Sequence, residues 1–213
     1  MPINDASERA YQYIAKRIET GDFPQGSALS EVEIASTIGS SRSPVREALR
    51  RLEAEGLVKR FPGRGTFVSV LTTQDLEEIF QLRLMFELYG LESAITQISD
   101  EQIEAMKEAF RAAKRAGDIQ AHAEADSVLH AAIVQSCGNL RLQNFMDILS
   151  AQIRVVKAIS RRIESLAQNS YETHMQILDA MQQRDLALAR ERLEQHILEV
   201  ERKTIENMKR IRP

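Results

Sequence analysis

A mainly α-helical chain with one small β element near its start is what the 213-residue sequence predicts, and three observations carry that prediction. Proline stands only at positions 2, 24, 44, 62 and 213, so the 150 residues from Gly63 to Arg212 contain none. Beyond Gly90, glycine recurs only at 117 and 138, and breakers this sparse leave a long all-α segment. Ahead of it, a basic helical pattern runs into two strand-like stretches separated by Pro62-Gly63-Arg64-Gly65. The architecture expected is an N-terminal winged helix-turn-helix over residues 1–70 and a C-terminal all-α antiparallel six-helix bundle over residues 71–213.

Ser30-Glu31-Val32-Glu33 has the Ser-x-x-Glu form of a capping box and opens a short helix through Ile34, Ala35 and Ile38 that Gly39 ends. A second helix begins near residue 43, where Ser43 is a good N-cap and Pro44 fits the first turn because its missing N–H has no partner there. Val45, Ala48, Leu49 and Leu52 form its buried stripe, while Arg42, Arg46, Arg50 and Arg51 project elsewhere. Leu57–Phe61 and Thr66–Val70 have strand composition, and the glycines between them supply φ > 0 for a hairpin turn. The domain boundary falls near Val70–Thr73, where Thr73 can cap a helix ahead of Asp75, Glu77 and Glu78. Caps and periodicity then give helices over 73–97, 100–116, 118–136, 139–163, 168–184 and 185–211.

Hydrophobic residues make up 43% of the chain, enough for real cores in one or two domains. A lone Cys137 excludes an intramolecular disulfide framework and suits a reducing cytoplasm. No basic start is followed by an apolar run, and no apolar stretch approaches ~18 residues, so neither export nor membrane spanning is expected. Charge separates the halves. Residues 42–64 hold seven Lys/Arg against three Glu in a chain whose net charge is −3, which focuses cations as a phosphate-tracking surface requires. A helical fragment with a hairpin can also be a protein–protein module with solvated basic faces; the local charge favours double-stranded DNA as the partner.

Within the bundle the histidines carry the chemistry. Asp126 and His130 are four apart and share a helix face with Ile119, Ala123, Ile133 and Cys137. His174 repeats the pattern beside Tyr171, Leu178 and Met181, and His196 does so among Leu193, Ile197, Val200 and Thr204. Any one of these histidines alone reads most simply as a hydrogen-bonded core residue. Four groups converging on three inward faces favour a metal site, and one Asp with three His suits a borderline divalent ion. His122, one turn before Asp126, reads as a bystander.

The run Ser41-Arg42-Ser43-Pro44-Val45-Arg46-Glu47-Ala48-Leu49, followed by Arg51-Leu52-Glu53, Glu55-Gly56-Leu57-Val58 and Arg64-Gly65-Thr66-Phe67-Val68, resembles the DNA-binding domain of GntR-type bacterial regulators. The spacing of Asp126-x-x-x-His130, Glu172-x-His174 and His196 resembles the FadR-type C-terminal (FCD) domain, and six bundle helices place the chain nearest the VanR branch. That resemblance implies a cytoplasmic, homodimeric regulator of a palindromic operator, by default a repressor. It also implies that Asp126, His130, His174 and His196 hold a divalent transition metal, zinc or nickel first, beside a small carboxylate effector. It makes Arg42 and Arg46 the specificity residues, near the start of a helix lying in the major groove, where arginine reads guanine best. Ser41, Ser43 and Arg50 would hold phosphates, and Arg64 and Gly65 would form the wing tip. Arg83 is a candidate for gripping the effector carboxylate, with an intrahelical salt bridge to Glu87 as the alternative, and Arg154 is a second candidate whose alternative is a solvated charge. Two departures stand out: Val32 occupies a position where the family often has Arg, and Thr173 separates Glu172 from His174 where Glu and His are often adjacent. The rival readings are a regulator for which the metal itself is the signal, and a metalloenzyme with an appended DNA-binding head, for which no His-Glu-x-x-His signature is present.

Overall fold

The computed structural model describes residues 5–160 and 165–211, with side chains described over 6–155 and 170–209. The chain divides into two compact units, one formed by residues up to Thr72 together with Ile148–Ile159, the other by Thr73–Asp147 with the residues from Ser160 onward.

In the first unit, α1 (Asp5–Thr20) and α2 (Glu31–Thr37) both pack on α3 (Arg42–Ala54). Ala10, Ile14, Ile18, Val45, Leu49 and Leu52 close this core. Three short strands, β1 (Ala28–Leu29), β2 (Val58–Phe61) and β3 (Gly65–Val68), form an antiparallel sheet in the order β1-β3-β2. Phe61 pairs with Gly65, which leaves Pro62-Gly63-Arg64 as the hairpin loop, closed by the Arg64 N–H donating to the Phe61 carbonyl at 3.0 Å. Gly63 takes φ +71° there, the left-handed conformation that the turn demands.

The α2 start behaves as the sequence predicts: the Ser30 hydroxyl accepts from the Glu33 N–H at 3.3 Å. The α3 start does not. Its N-cap is Ser41 rather than Ser43, so Pro44 is the third helical residue. The first-turn N–H groups have no intrahelical acceptor, and proline is tolerated at any of those positions. The helix end matches its sequence signal. The Gly56 N–H donates to the Glu53 carbonyl and the Leu57 N–H to the Leu52 carbonyl, a Schellman arrangement in which Leu52 and Leu57 are both buried. Residues 148–159 add to this unit through Gln152, whose side-chain amide donates to the Glu55 carbonyl at 2.9 Å, and through Arg154.

The second unit is helical throughout its described residues: α4 (Thr73–Gln97), α5 (Asp100–Ala116), α6 (Ile119–Gln135), the first part of α7 (Leu140–Ser160), α8 (Ser165–Gln182) and α9 (Leu186–Ile211). These agree with the six expected helices to within a few residues; positions 161–163 of the predicted fourth bundle helix lie outside the described residues. Leu91, Phe110, Leu129, Ile177, Leu178 and Leu193 are among its fully buried side chains. Two local devices set its geometry. Gly90 on α4 lies against the α6 backbone, where an added Cβ would sit 2.6 Å from the Ile133 carbonyl oxygen and 2.9 Å from the Val134 Cα. Arg184, in the turn after α8, adopts φ +57° without being glycine, and its guanidinium caps the end of α4 through the Ile95 and Ile98 carbonyls at 2.8 and 2.7 Å.

Candidate functional site

The basic face of the first unit is assembled on α3 and the β2–β3 hairpin. Ser41, Arg42, Ser43, Arg46, Arg50, Arg64 and Gly65 are all exposed. Arg42 and Arg46 lie one turn apart on α3, and both meet Glu31 on α2: the Glu31 Oε2 accepts from Arg42 Nη2 at 2.9 Å and from Arg46 Nε at 2.8 Å. Arg60 approaches the other carboxylate oxygen at 3.8 Å. Burial pushes the Glu31 carboxyl up, but the two arginine hydrogen bonds outweigh it and hold the group below the ordinary carboxylate range. These side chains, with Val32 and Thr66, line a cleft of about 270 Å³. Val32 is 58% exposed at this face, an apolar side chain among charged ones. The sequence reading missed Glu31 as a member of the site. An acidic residue in the first turn of α2 looks like dipole compensation alone, and nothing in the local pattern shows that α3 brings two arginines to it.

The second assembly lies inside the helical unit. One ligand-type atom from each of Asp126, His130, His174 and His196 lies within 4.8 Å of the others, and all four residues are buried. The sequence named this set, and the three helices α6, α8 and α9 bring it together. His174 Nε2 is 3.1 Å and His130 Nε2 3.7 Å from Asp126 Oδ1. The His130 and His196 rings stack at 5.3 Å, the His174 and His196 rings meet at 4.4 Å tilted by 52°, and the Phe110 ring stacks on His174 at 4.6 Å. Burial, reinforced by the neighbouring His174 and His130, holds His196 well below the usual imidazole range, so it is neutral at physiological pH. His122 stays outside the set, its Nε2 2.8 Å from the Ser170 hydroxyl.

Arg83 is brought to the edge of this centre, though its expected alternative is also realised. Its side chain is 2% exposed, and its Nε donates to Glu87 Oε1 at 2.6 Å. The other Glu87 oxygen lies 2.5 Å from His130 Nδ1, so one fully buried carboxylate joins Arg83 to a member of the histidine centre. Burial would raise the Glu87 carboxyl, but His130 and Arg83 outweigh it and keep it ionised. Arg83 Nη1 is buried with no hydrogen-bond partner among the described residues. Arg154 makes its ion pair within the first unit. It belongs to the stretch of α7 that groups with the first unit, where its Nε donates to Glu19 Oε1 at 2.6 Å. Periodicity places Arg154 on a helix but carries no information about which unit that stretch joins.

The donor set fits a divalent metal by a test internal to the structure. The Nε2 atoms of His130 and His196 are buried and without a hydrogen-bond partner among the described residues, and such atoms are costly unless a cation satisfies them. Three imidazoles and one carboxylate are the nitrogen–oxygen mixture that zinc and its neighbours accept.

Comparison with known proteins gives the context. The HTH-type transcriptional regulator YdhC of Bacillus subtilis is 25% identical over 88% of this chain and 84% of its own. The gluconate operon transcriptional repressor of the same organism is 27% identical over 91% of this chain and 82% of its own. The solved structure of Escherichia coli McbR/YncC superposes with a TM-score of 0.82 at 18% identity, over 96% of this chain and 99% of that one, which establishes the shared fold. Residues 6–68 match the bacterial regulatory proteins of the gntR family, and residues 78–199, more than half of the chain, match the FCD domain. The chain therefore belongs to the GntR family of DNA-binding transcription regulators, in its FCD-domain form.

Proposed function

We propose that this protein is a ligand-responsive repressor in which a small carboxylate binds at a metal held by Asp126, His130, His174 and His196. The observation that carries the reading is the convergence of those four buried groups, with Arg83 beside them presenting a buried guanidinium nitrogen to which a carboxylate oxygen can bond. The metal would supply a positive centre for an anionic ligand, and Arg83 would fix the orientation of that ligand's carboxylate. The relative named for the gluconate operon agrees with a sugar acid or similar hydroxy acid as the ligand class. Six bundle helices support the VanR branch, and an operator-binding protein of this kind works in the cytoplasm. Among the described residues no helix is long and apolar enough to cross a membrane.

A homodimer completes the reading. Leu82, Met85 and Tyr89 on α4 and Leu140 and Phe145 on α7 are exposed apolar side chains of the helical unit, and a two-fold pairing through them would present two reading heads to a palindrome. Effector binding then acts only through its different affinity for the DNA-competent and DNA-released states.

Thermal melting of metal-loaded and chelated protein against a panel of sugar acids, hydroxy acids, dicarboxylates and amino acids tests this directly, because a ligand that binds only the folded state raises its melting temperature by mass action. One acid is expected to raise it in the metal-loaded protein and not after chelation, and Arg83→Ala is expected to abolish that shift while leaving DNA binding intact. A panel with no shift, together with operator affinity that follows metal concentration alone, would replace the carboxylate sensor with a metal sensor.

At the DNA face, Arg46→Ala is expected to lose operator discrimination by about 1–3 kcal/mol, the worth of a bidentate base contact. Arg50→Ala is expected to weaken operator and random DNA alike, as a phosphate contact does. Binding titrations on both DNAs check this; parallel losses in the two variants would overturn the division of roles.

A further inference from the structure

We propose that Thr173 and Glu87 are positioning residues that lock the tautomers of His196 and His130, so that both imidazoles keep a bare Nε2 lone pair within the cluster they form with Asp126 and His174. The inference rests on the metal-centre reading for its purpose, but not for its geometry.

The Thr173 hydroxyl makes two contacts: it donates to the Ser170 carbonyl at 2.9 Å, and it lies 3.0 Å from His196 Nδ1. A carbonyl only accepts and a hydroxyl has a single hydrogen, so that hydrogen is committed to Ser170. What remains for His196 is a hydroxyl lone pair, and the contact is attractive only if Nδ1 carries the proton and donates it. The far nitrogen gives independent support. His196 Nε2 is buried without a partner among the described residues, and a proton there would be a donor with nothing to receive it. On His130 the same logic runs through a stronger acceptor. Glu87 Oε2 lies at 2.5 Å from Nδ1, an ionised carboxylate can only accept, and His130 Nε2 is likewise buried without a hydrogen bond among the described residues, Asp126 Oδ1 standing 3.7 Å away. Two different elements, α4 for Glu87 and α8 for Thr173, thus fix two rings on two further helices, α6 and α9. Outer groups of this kind orient a metal-ligating imidazole and raise its basicity. Thr173 is also the residue that separates Glu172 from His174, so the unusual spacing in that segment gains a role: it places a hydroxyl where His196 needs an acceptor.

Nitrogen-15 NMR of the histidine side chains in chelator-treated full-length protein reads the tautomers without any metal. His196 and His130 are expected to carry the proton on Nδ1, and Thr173→Val is expected to shift His196 toward the other tautomer while Thr173→Ser restores it. Zn2+ titration against a chromophoric chelator then reads the consequence: Thr173→Val is expected to bind about ten- to a hundredfold more weakly, with recovery in Thr173→Ser. A wild-type His196 protonated on Nε2, or Thr173→Val binding Zn2+ as tightly as wild type, would overturn the proposal. A wild type with the expected tautomers that binds no Zn2+ would sink the metal reading and leave the tautomer assignment standing, so the two failures are distinct. Should Thr173→Val fail to fold, the wild-type spectrum alone still decides the tautomers.

Discussion

Glu87→Ala is expected to lower the stability of the metal-free protein by about 3–5 kcal/mol, the usual result of removing one partner from a buried ion pair. The reason lies in what is left behind. Arg83 is 2% exposed, and its guanidinium has Glu87 as its hydrogen-bonded anion, so truncation leaves a buried positive charge without that bond and with only the more distant field of Asp126. His130 loses its Nδ1 acceptor in the same step. Chemical denaturation of wild type and variant checks this, and a loss below about 1 kcal/mol, the range of an ordinary surface change, would mean that water reaches the guanidinium. The double variant Arg83→Met, Glu87→Leu is expected to recover most of the loss, because a buried pair exchanged for apolar groups of similar volume is often neutral. It is expected to remain blind to the carboxylate effector, which separates the pair's contribution to folding from its part in ligand capture.

Gly90→Ala is expected to destabilise the bundle by about 1–3 kcal/mol, the range for forcing an extra carbon into a packed interior. Helix propensity alone argues the opposite sign, since glycine within a helix is worse than alanine by about 0.5–1 kcal/mol. Local space decides. The new Cβ would stand 2.6 Å from the Ile133 carbonyl oxygen, and that obstacle is backbone, which cannot rotate aside as a flexible side chain can. Relief requires α6 to move away from α4, and that movement separates His130 from Glu87. Weaker Zn2+ binding should therefore accompany the lower melting temperature. A variant more stable than wild type would show that the two helices tolerate a wider spacing.

The long helices were legible because proline and glycine are rare after Gly90 and because polar caps such as Ser99 and Asp118 stand at their starts. The convergence of Asp126, His130, His174 and His196 was legible for a related reason: an i, i+4 Asp-His pair and two histidines among apolar neighbours can only point inward if those helices pack. What stayed hidden depends on distance in space rather than along the chain. The first helix, Asp5–Thr20, and the two-residue strand Ala28–Leu29 escaped assignment, the latter because its pairing partners Thr66 and Phe67 are nearly forty positions away. Glu31, Glu87 and Thr173 are ordinary polar residues in sequence, and each acquires its role from a group presented by another helix. Arg154 shows the same dependence, its acidic partner Glu19 standing 135 positions earlier in the chain.

The Glu31 carboxylate has a consequence for target search. Two of the arginines that give the reading face its charge already have an anionic acceptor in the free protein, so random DNA must out-compete an internal rival before it gains them. A phosphate offers little that Glu31 does not, whereas a guanine edge with two aligned acceptors offers a bidentate fit. Releasing the two arginines from Glu31 costs the same on any sequence, so a phosphate contact of similar strength would gain almost nothing while a bidentate base contact would keep a surplus. On the proposed reading of α3, a small basic head would then move over a large excess of wrong sequence without being held there.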